Sequence, residues 1–148
     1  MLLFESQSPY MIEAIIDVEY RWFKRSELKG ILLKHPNLFD ELSKAWAEEK
    51  SRADQLIVDL GRRNADERIA RLILNLAARL AQRGMVQAEN VEMEFPLRLH
   101  HIADATGLTI VHVSRVLCEF RRSGLLKLSG RTLTILDPKG FRHLAGMR

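Results

Sequence analysis

The chain has 148 residues with a net charge of +4, and its 47% apolar and 28% charged residues exclude a disordered protein. Its apolar runs are too short to cross a membrane, and its start, "MLLFESQSPY", lacks the basic and apolar segments of a secretion signal. A single cysteine, Cys118, excludes an internal disulfide and a cysteine-only metal site, so we expect a cytoplasmic protein.

The first predicted element is a strand over residues 11–23, bent near Asp17, where β-branched and aromatic residues alternate roughly with polar ones. A lone strand is unstable because its backbone groups and apolar face need partners. Either it pairs with the "LLFES" segment and with another copy, or the chain begins partway through a larger β domain. Ser26 is then the predicted N-cap of a short helix that Pro36 ends.

The longest helical pattern covers residues 37–60, in which apolar residues recur at spacings of three and four. Such a helix is about 36 Å long, and the sequence offers little of matching length to cover its apolar stripe. Dimerisation is therefore favoured over packing of this helix against its own domain. The predicted interface residues are Leu38, Leu42, Ala45, Trp46, Glu49, Ala53, Leu56 and Leu60.

A second helix is predicted directly after the long one. Gly61 is expected to break the long pattern, and Asn64 and Glu67 have the spacing of a capping box that opens the next helix. This second helix is predicted to run to about Arg83, where a glycine follows. Residues 91–95 then form a predicted short strand.

The stretch that follows contains two helical patterns joined by a tight turn. Gly107 can supply the positive φ that ends the first of them, and Thr109 is the predicted N-cap of the second. The second helix has four inward apolar residues, Val113, Val116, Leu117 and Phe120. Alternating residues around Ser129-Gly130 then predict a β-hairpin. This order is typical of a winged helix-turn-helix, and an ordinary small α+β domain is the alternative.

Basic residues are concentrated in the same region. From Leu97 to Arg148 there are nine Lys and Arg against three Asp and Glu, whereas the preceding residues carry a small acidic excess. Such an asymmetry is the electrostatic footprint of a protein that binds a polyanion. A solvated basic surface is the alternative.

The start of the second helix is the predicted reading segment, because a helix fits the major groove and its first turns reach base edges. The predicted base-reading residues are Thr109, Ile110, Val111, Ser114 and Arg115. The predicted phosphate-binding residues are Arg98, His100, Arg121, Lys127 and Arg131. No metal site and no catalytic set stand out, so we expect no cofactor and no enzyme activity.

The segment "GLTIVHVSRVLCEFRRSGLLKLSGRTLTILD", preceded by "ERIARLILNLAARL", resembles the cyclic-AMP receptor protein / fumarate-nitrate regulator (CRP/FNR) superfamily. The resemblance runs from about Ser8 to the C-terminus. It implies a remnant of a β-roll sensor domain over residues 1–36 and a dimerisation helix over 37–60. A hinge over 61–64 and a winged helix-turn-helix domain over 65–148 would follow.

The resemblance also assigns roles to single residues. Ser114 and Arg115 match the "SR" pair of the family's reading helix, which implies a guanine contact for Arg115. Val111 stands where the family often has a Glu that accepts from cytosine, so the operator should differ there. Arg98 stands where the family often has a capping Thr, so the first helix should fray or depend on a phosphate at its start.

Most of the family's β-roll is absent, so no small-molecule effector site is evident in this chain. The predicted fold is mainly α with small β elements: a long dimerisation helix followed by a winged helix-turn-helix domain. The predicted function is that of a sequence-specific regulator, which binds double-stranded DNA at a pseudo-palindromic operator as a homodimer. The alternative is a dimerisation-only partner that modulates a full-length relative.

Overall fold

The computed structural model describes residues 11–85 and 91–147, and over these the chain is mainly α-helical with one small sheet. This confirms the predicted fold class. The elements are α1 (Leu28–Lys34), α2 (Pro36–Arg62), α3 (Ala65–Ala81), β1 (Val91–Glu94), α4 (Leu99–Thr106), α5 (Ile110–Arg122), β2 (Leu126–Ser129), β3 (Thr132–Ile135) and α6 (Pro138–Leu144). The chain divides into two compact units between Ile57 and Val58, which fall inside α2.

The first unit lacks the strand predicted over residues 11–23, and that prediction is wrong. This segment has no regular secondary structure and its side chains are exposed. A lone strand is unstable, and no second strand within the described part of this unit supplies hydrogen bonds to the backbone of residues 11–23. The "LLFES" segment lies outside the described residues.

The start of α1 also differs from the prediction. A short 3-10 turn, Arg25–Glu27, precedes the helix, and Glu27 rather than Ser26 occupies the N-cap position, without a side-chain cap. The backbone N–H of Lys24 donates instead to the Glu27 carboxylate at 3.4 Å.

Helix α2 begins at Pro36 and passes through Gly61, which was expected to break it. Proline is favoured in the first turn because its fixed φ suits a helix and its missing N–H needs no partner there. A glycine inside a helix costs only about 1 kcal/mol. The Arg63 guanidinium spans this turn to reach the Asp59 carboxylate at 2.9 Å, and this ion pair supports the last turn.

The capping box predicted at the start of α3 is confirmed. The Asn64 side chain accepts from the backbone N–H of Glu67 at 2.9 Å, and the Glu67 carboxylate accepts from the backbone N–H of Asn64 at 3.1 Å. The helix ends at Ala81, two residues before the predicted end and within the usual uncertainty of helix termini. Its buried face carries Ile69 and Ile73.

The sheet is antiparallel with the strand order β1-β3-β2. Ser129 pairs with Thr132, so the two turn residues are Gly130 and Arg131, one position later than predicted. Gly130 is the first of the two turn residues and has a φ of 58°, and the common two-residue hairpin turns require a positive φ at that position. Leu126, Leu133 and Ile135 lie in the core of the unit, and this hairpin is the wing.

Helix α6 was not predicted from the sequence, although Asp137 and Pro138 form a helix start. The Asp137 carboxylate accepts from the backbone N–H of Gly140 at 2.9 Å, and Pro138 occupies the first turn. Phe141 is fully buried and meets Phe120 of α5 edge-to-face, with ring centroids 5.4 Å apart. Helix α6 therefore supports α5 from its buried side.

Candidate nucleic-acid interface

The turn between α4 and α5 has the geometry predicted for a helix-turn-helix. Gly107 ends α4 in the left-handed region with a φ of 63°, and the backbone N–H of Leu108 returns to the Ala103 carbonyl at 3.0 Å. The Thr109 hydroxyl accepts from the backbone N–H of His112 at 3.2 Å, so Thr109 is the N-cap of α5. Both the turn and the cap are confirmed.

Helix α5 presents two distinct faces. Its four predicted inward residues, Val113, Val116, Leu117 and Phe120, are all buried. The five predicted base-reading residues are all exposed at its N-terminal end: Thr109, Ile110, Val111, Ser114 and Arg115. Ile110 and Val111 are 50% and 68% exposed, although they are large apolar side chains that a core would normally bury. The structure therefore brings the five residues together on one solvent-facing surface.

The predicted phosphate-binding residues lie on α4, on α5 and on the wing. Arg98 and His100 are at the start of α4, Arg121 is in the last turn of α5, Lys127 is on β2 and Arg131 is in the turn of the wing. All five are exposed. Arg131 is also 3.3 Å from the carboxylate of Glu94 on β1, an exposed ion pair that contributes little to stability.

The start of α4 is capped in a way that the sequence analysis missed. The Arg98 side chain cannot accept a hydrogen bond, yet its backbone N–H donates to Nδ1 of His101 at 3.0 Å. His101 thereby occupies the role that Glu or Gln fills in a capping box. The His100 ring lies against it, with centroids 4.0 Å apart. This histidine cap, three residues into the helix, opposes the fraying that was one of the two predicted outcomes; the other, dependence on a phosphate, stays a prediction.

Glu119 of α5 is a second feature that the sequence analysis left out. It is exposed on the solvent side of the helix and forms an ion pair with Arg122 three residues later. The hydrogen bond and the charge of Glu119 raise the pKa of the Arg122 guanidinium. One carboxylate therefore lies among the basic residues at the end of α5, and its ion pair occupies one of them.

A family described as the Crp-like helix-turn-helix domain matches residues 67–144, which is more than half of the chain. The chain belongs to the CRP/FNR family. The matched region begins in the first turn of α3 and ends with α6, so the family's domain includes the helix that was not predicted from the sequence.

Known CRP/FNR regulators match over most of this chain. The transcriptional activator protein FnrA of Stutzerimonas stutzeri is 34% identical over 124 residues, which are 84% of this chain and 49% of that protein. The fumarate and nitrate reduction regulatory protein of Escherichia coli strain K12 is 34% identical over 113 residues, which are 76% of this chain and 44% of that protein. The chain thus spans about half the length of the curated relatives it matches.

Two solved structures have a fold similar to that of this chain. FixK2 from Bradyrhizobium japonicum is 28% identical and aligns with a TM-score of 0.70 over 82% of this chain and 59% of that chain. A CooA mutant from Carboxydothermus hydrogenoformans aligns with a TM-score of 0.68 over 81% of this chain and 54% of that chain. The latter is 21% identical, so it supports the fold alone.

Helix α2 of this CRP/FNR protein carries an exposed apolar stripe. Of the predicted interface residues, Leu38 and Leu42 are half-buried, whereas Ala45, Trp46, Glu49, Ala53, Leu56 and Leu60 are exposed. Trp46, Leu56 and Leu60 are 48%, 47% and 43% exposed. Phe39, which the sequence analysis did not select, is 61% exposed and precedes Leu42 by three residues, in register with the same stripe.

Neither a metal-binding cluster nor a membrane-spanning helix is found in the part of the chain that the structure describes. Among residues 11–85 and 91–147, no group of three or more His, Cys, Asp or Glu side chains is placed to bind a metal ion. No helix in these ranges combines the length and the apolar character needed to cross a membrane.

Proposed function

We propose that this CRP/FNR chain is a sequence-specific DNA-binding transcription regulator that binds a pseudo-palindromic operator as a homodimer. The observation that carries the proposal is the exposed N-terminal face of α5, which a capped turn precedes and a wing follows. An α-helix fits the major groove, and residues of its first turns reach base edges. No other face of α5 is free, because the opposite one is buried in the core.

Each base-reading residue has a definite chemical role in this proposal. The Arg115 guanidinium donates two hydrogen bonds to one guanine, which is the commonest specific contact in the major groove. Thr109 and Ser114 provide hydroxyls for a base or a phosphate. Ile110 and Val111 offer apolar surface to thymine methyl groups. Val111 cannot accept from cytosine, so the preferred operator differs at that position from sites that are read by a glutamate.

The basic residues around α5 position the protein on the DNA backbone. Phosphate contacts of this kind set register and orientation but carry no sequence information. They also make the affinity depend on salt, because each neutralised phosphate releases counterions. The proposed contacts are Arg98, His100, Arg121, Lys127 and Arg131.

Dimerisation through α2 follows from its exposed stripe. Apolar side chains at alternating spacings of three and four residues pack into a partner helix as in a coiled coil. Two copies related by a twofold axis would present two reading helices to successive major grooves about 34 Å apart. The proposed interface comprises Leu38, Leu42, Ala45, Trp46, Glu49, Ala53, Leu56 and Leu60.

The test begins with selection of a binding site from a randomised double-stranded oligonucleotide library. Fluorescence anisotropy then compares the selected duplex with a shuffled duplex at several salt concentrations. We expect a palindromic site, tighter binding to it than to the shuffled duplex, and weaker binding as salt rises. Equal affinity for both duplexes at every salt concentration would refute sequence-specific binding.

Arg115→Ala gives the residue-level prediction. It should weaken binding to the selected site by about 1–3 kcal/mol and relax selectivity at one base pair per half-site. Arg79→Ala is the matched control, because it removes the same charge from an exposed position on α3, which carries none of the proposed contacts. Equal losses from the two variants would show that Arg115 acts only through its charge.

A dimerisation-only partner is the second candidate, and the exposed stripe on α2 favours it. The stripe would serve a full-length CRP/FNR subunit as well as a second copy of this chain. Mixing the chain with tagged full-length relative and recovering the complex tests this role. Recovery of homodimers alone would contradict it.

A further inference from the structure

The last turn of α2 belongs structurally to the DNA-binding unit. Asp59 lies in this turn, and its side chain is only 8% exposed. Its two carboxylate oxygens accept from different guanidinium groups: Oδ1 from Nε of Arg63 at 2.9 Å and Oδ2 from Nε of Arg71 at 2.8 Å. Arg71 is itself buried, with 7% of its side chain exposed. One carboxylate therefore joins α2 to α3.

Arg71 extends this connection to the end of the chain. Its Nη1 donates to the backbone carbonyl of Ala145, just after α6, at 3.2 Å. Ala145 is fully buried. A guanidinium holds several donors in one fixed plane, so its contacts with Asp59 and Ala145 constrain each other. The ends of α2 and α6 are thus fixed to the same side chain of α3.

A second set of contacts joins the same turn of α2 to the helix-turn-helix. A Cβ added at Gly107 would lie 3.3 Å from Cδ2 of Leu60 and 3.7 Å from Nη1 of Arg68. Nη1 of Arg68 donates to the backbone carbonyl of Thr106 at 2.9 Å, where α4 ends. Leu60 of α2 and Arg68 of α3 therefore both lie against the turn that precedes α5.

We propose that Asp59 and Leu60 form a clamp that fixes the last turn of α2 against α3 and the helix-turn-helix turn. Asp59 is then a positioning residue for the reading helix, acting through Arg71 and α3. In this arrangement residues 61–64 are held rigidly, in contrast to the hinge that the family resemblance implied for them. The capping box at Asn64 adds to this rigidity.

The chemistry of the ion pair supports a positioning role over one in stability alone. Burial of two charges costs much of what their attraction returns, and an apolar pair of similar volume often stabilises a protein as well. What the ionic pair adds is direction, because hydrogen bonds between guanidinium and carboxylate hold only in a narrow geometry. Within the second unit, Asp59 thereby fixes the orientation of the last turn of α2 against α3.

Hydrogen exchange tests the clamp without DNA. In the wild-type protein, the amides of residues 59–64 should exchange as slowly as those in the buried middle of α3. Asp59→Asn should accelerate their exchange by about tenfold or more, because it leaves Arg71 without its ionic partner. Asp54→Asn is the matched control: Asp54 accepts from Lys50 at the same 2.8 Å on the same helix, but both side chains are exposed.

Fast exchange of residues 59–64 in the wild type would overturn the clamp and restore the hinge. Equal exchange in Asp59→Asn and Asp54→Asn would overturn the role of Asp59. Arg71→Lys is a second variant that tests the clamp even if Asp59→Asn fails to fold. It keeps the positive charge, but a lysine cannot contact Asp59 and Ala145 together. It should also accelerate exchange at residues 59–64, and unchanged exchange in a folded Arg71→Lys protein would contradict the clamp.

DNA selectivity provides the readout that a purely structural residue would not change, and this arm rests on the proposed function. Selectivity is the ratio of affinities for the selected and the shuffled duplex, measured well below the melting temperature of each variant. It should fall about tenfold in Asp59→Asn and stay constant in Asp54→Asn. Unchanged selectivity in Asp59→Asn would refute the positioning role. Absence of selectivity in the wild-type protein would refute the proposed function. The clamp would then be tested by the hydrogen-exchange measurements alone.

Discussion

Replacement of Gly107 with Ala probes the turn that precedes α5. Gly107 has a φ of 63°, and the left-handed region costs a residue with a Cβ about 1–2 kcal/mol. The new Cβ would also lie 3.3 Å from Cδ2 of Leu60, so Leu60 has to shift by a few tenths of an ångström. Leu60 is partly exposed, so this crowding costs about 1 kcal/mol, near the low end for overpacking. We therefore expect Gly107→Ala to destabilise the second unit by about 2–3 kcal/mol.

Gly124→Ala is the matched control for this prediction. Gly124 has a φ of 69°, but an added Cβ there would meet nothing within 4 Å. It should cost about 1–2 kcal/mol from backbone conformation alone. The difference of about 1 kcal/mol between the two variants measures the contact with Leu60. In a Leu60→Ala background this difference should vanish, as a double-mutant cycle would show.

Native-state hydrogen exchange of α3 amides over a urea series is the appropriate assay. The two tryptophans, Trp22 and Trp46, both lie in the first unit, so their fluorescence does not report on the second. Protein concentration must be held constant, because dimerisation would contribute to stability. Equal destabilisation by Gly107→Ala and Gly124→Ala would refute the proposed packing of Leu60 against the turn.

Two further predictions concern stability of the second unit, measured with the same assay. Phe141→Ala should cost about 3–5 kcal/mol because it removes a fully buried ring from the face of α5, whereas Arg142→Ala at the exposed neighbouring position should be nearly neutral. A small effect of Phe141→Ala would mean that α6 does not support α5. Asn64→Ala should cost about 1–2 kcal/mol through loss of the capping box, whereas Asn75→Ala, in the exposed interior of α3, should be neutral or slightly stabilising. Equal effects of the two Asn variants would contradict the cap.

Local signals in the sequence were sufficient for the elements that carry the candidate site. Asn64 and Glu67 act within one helical turn, and so do Thr109 and His112. Gly107 ends α4 because its own φ is positive, a conformation that glycine adopts easily. The inward and outward faces of α5 follow from helical periodicity, which is why the exposure of the five predicted base-reading residues could be anticipated; that they read bases stays a prediction.

The errors occurred where local pattern and tertiary context disagree. Residues 11–23 have the composition of a strand, but a strand needs a partner that this pattern cannot supply. Gly61 has low helix propensity, yet the ion pair between Arg63 and Asp59 supports the turn that contains it. Helix α6 has only seven residues, too short for its periodicity to stand out, and burial of Phe141 against α5 stabilises it.

The sequence by itself determined α5, its cap, the turn before it and the hairpin after it, because each depends on residues at most a few positions apart. Only the tertiary structure showed that Asp59 and Arg71, twelve residues apart, share a buried ion pair, and that Leu60 lies against Gly107. Contacts of this kind have no signature in local spacing, since they depend on how helices pack after they have formed. The residues proposed to read DNA could therefore be chosen from the sequence, and the residues proposed to position them could not.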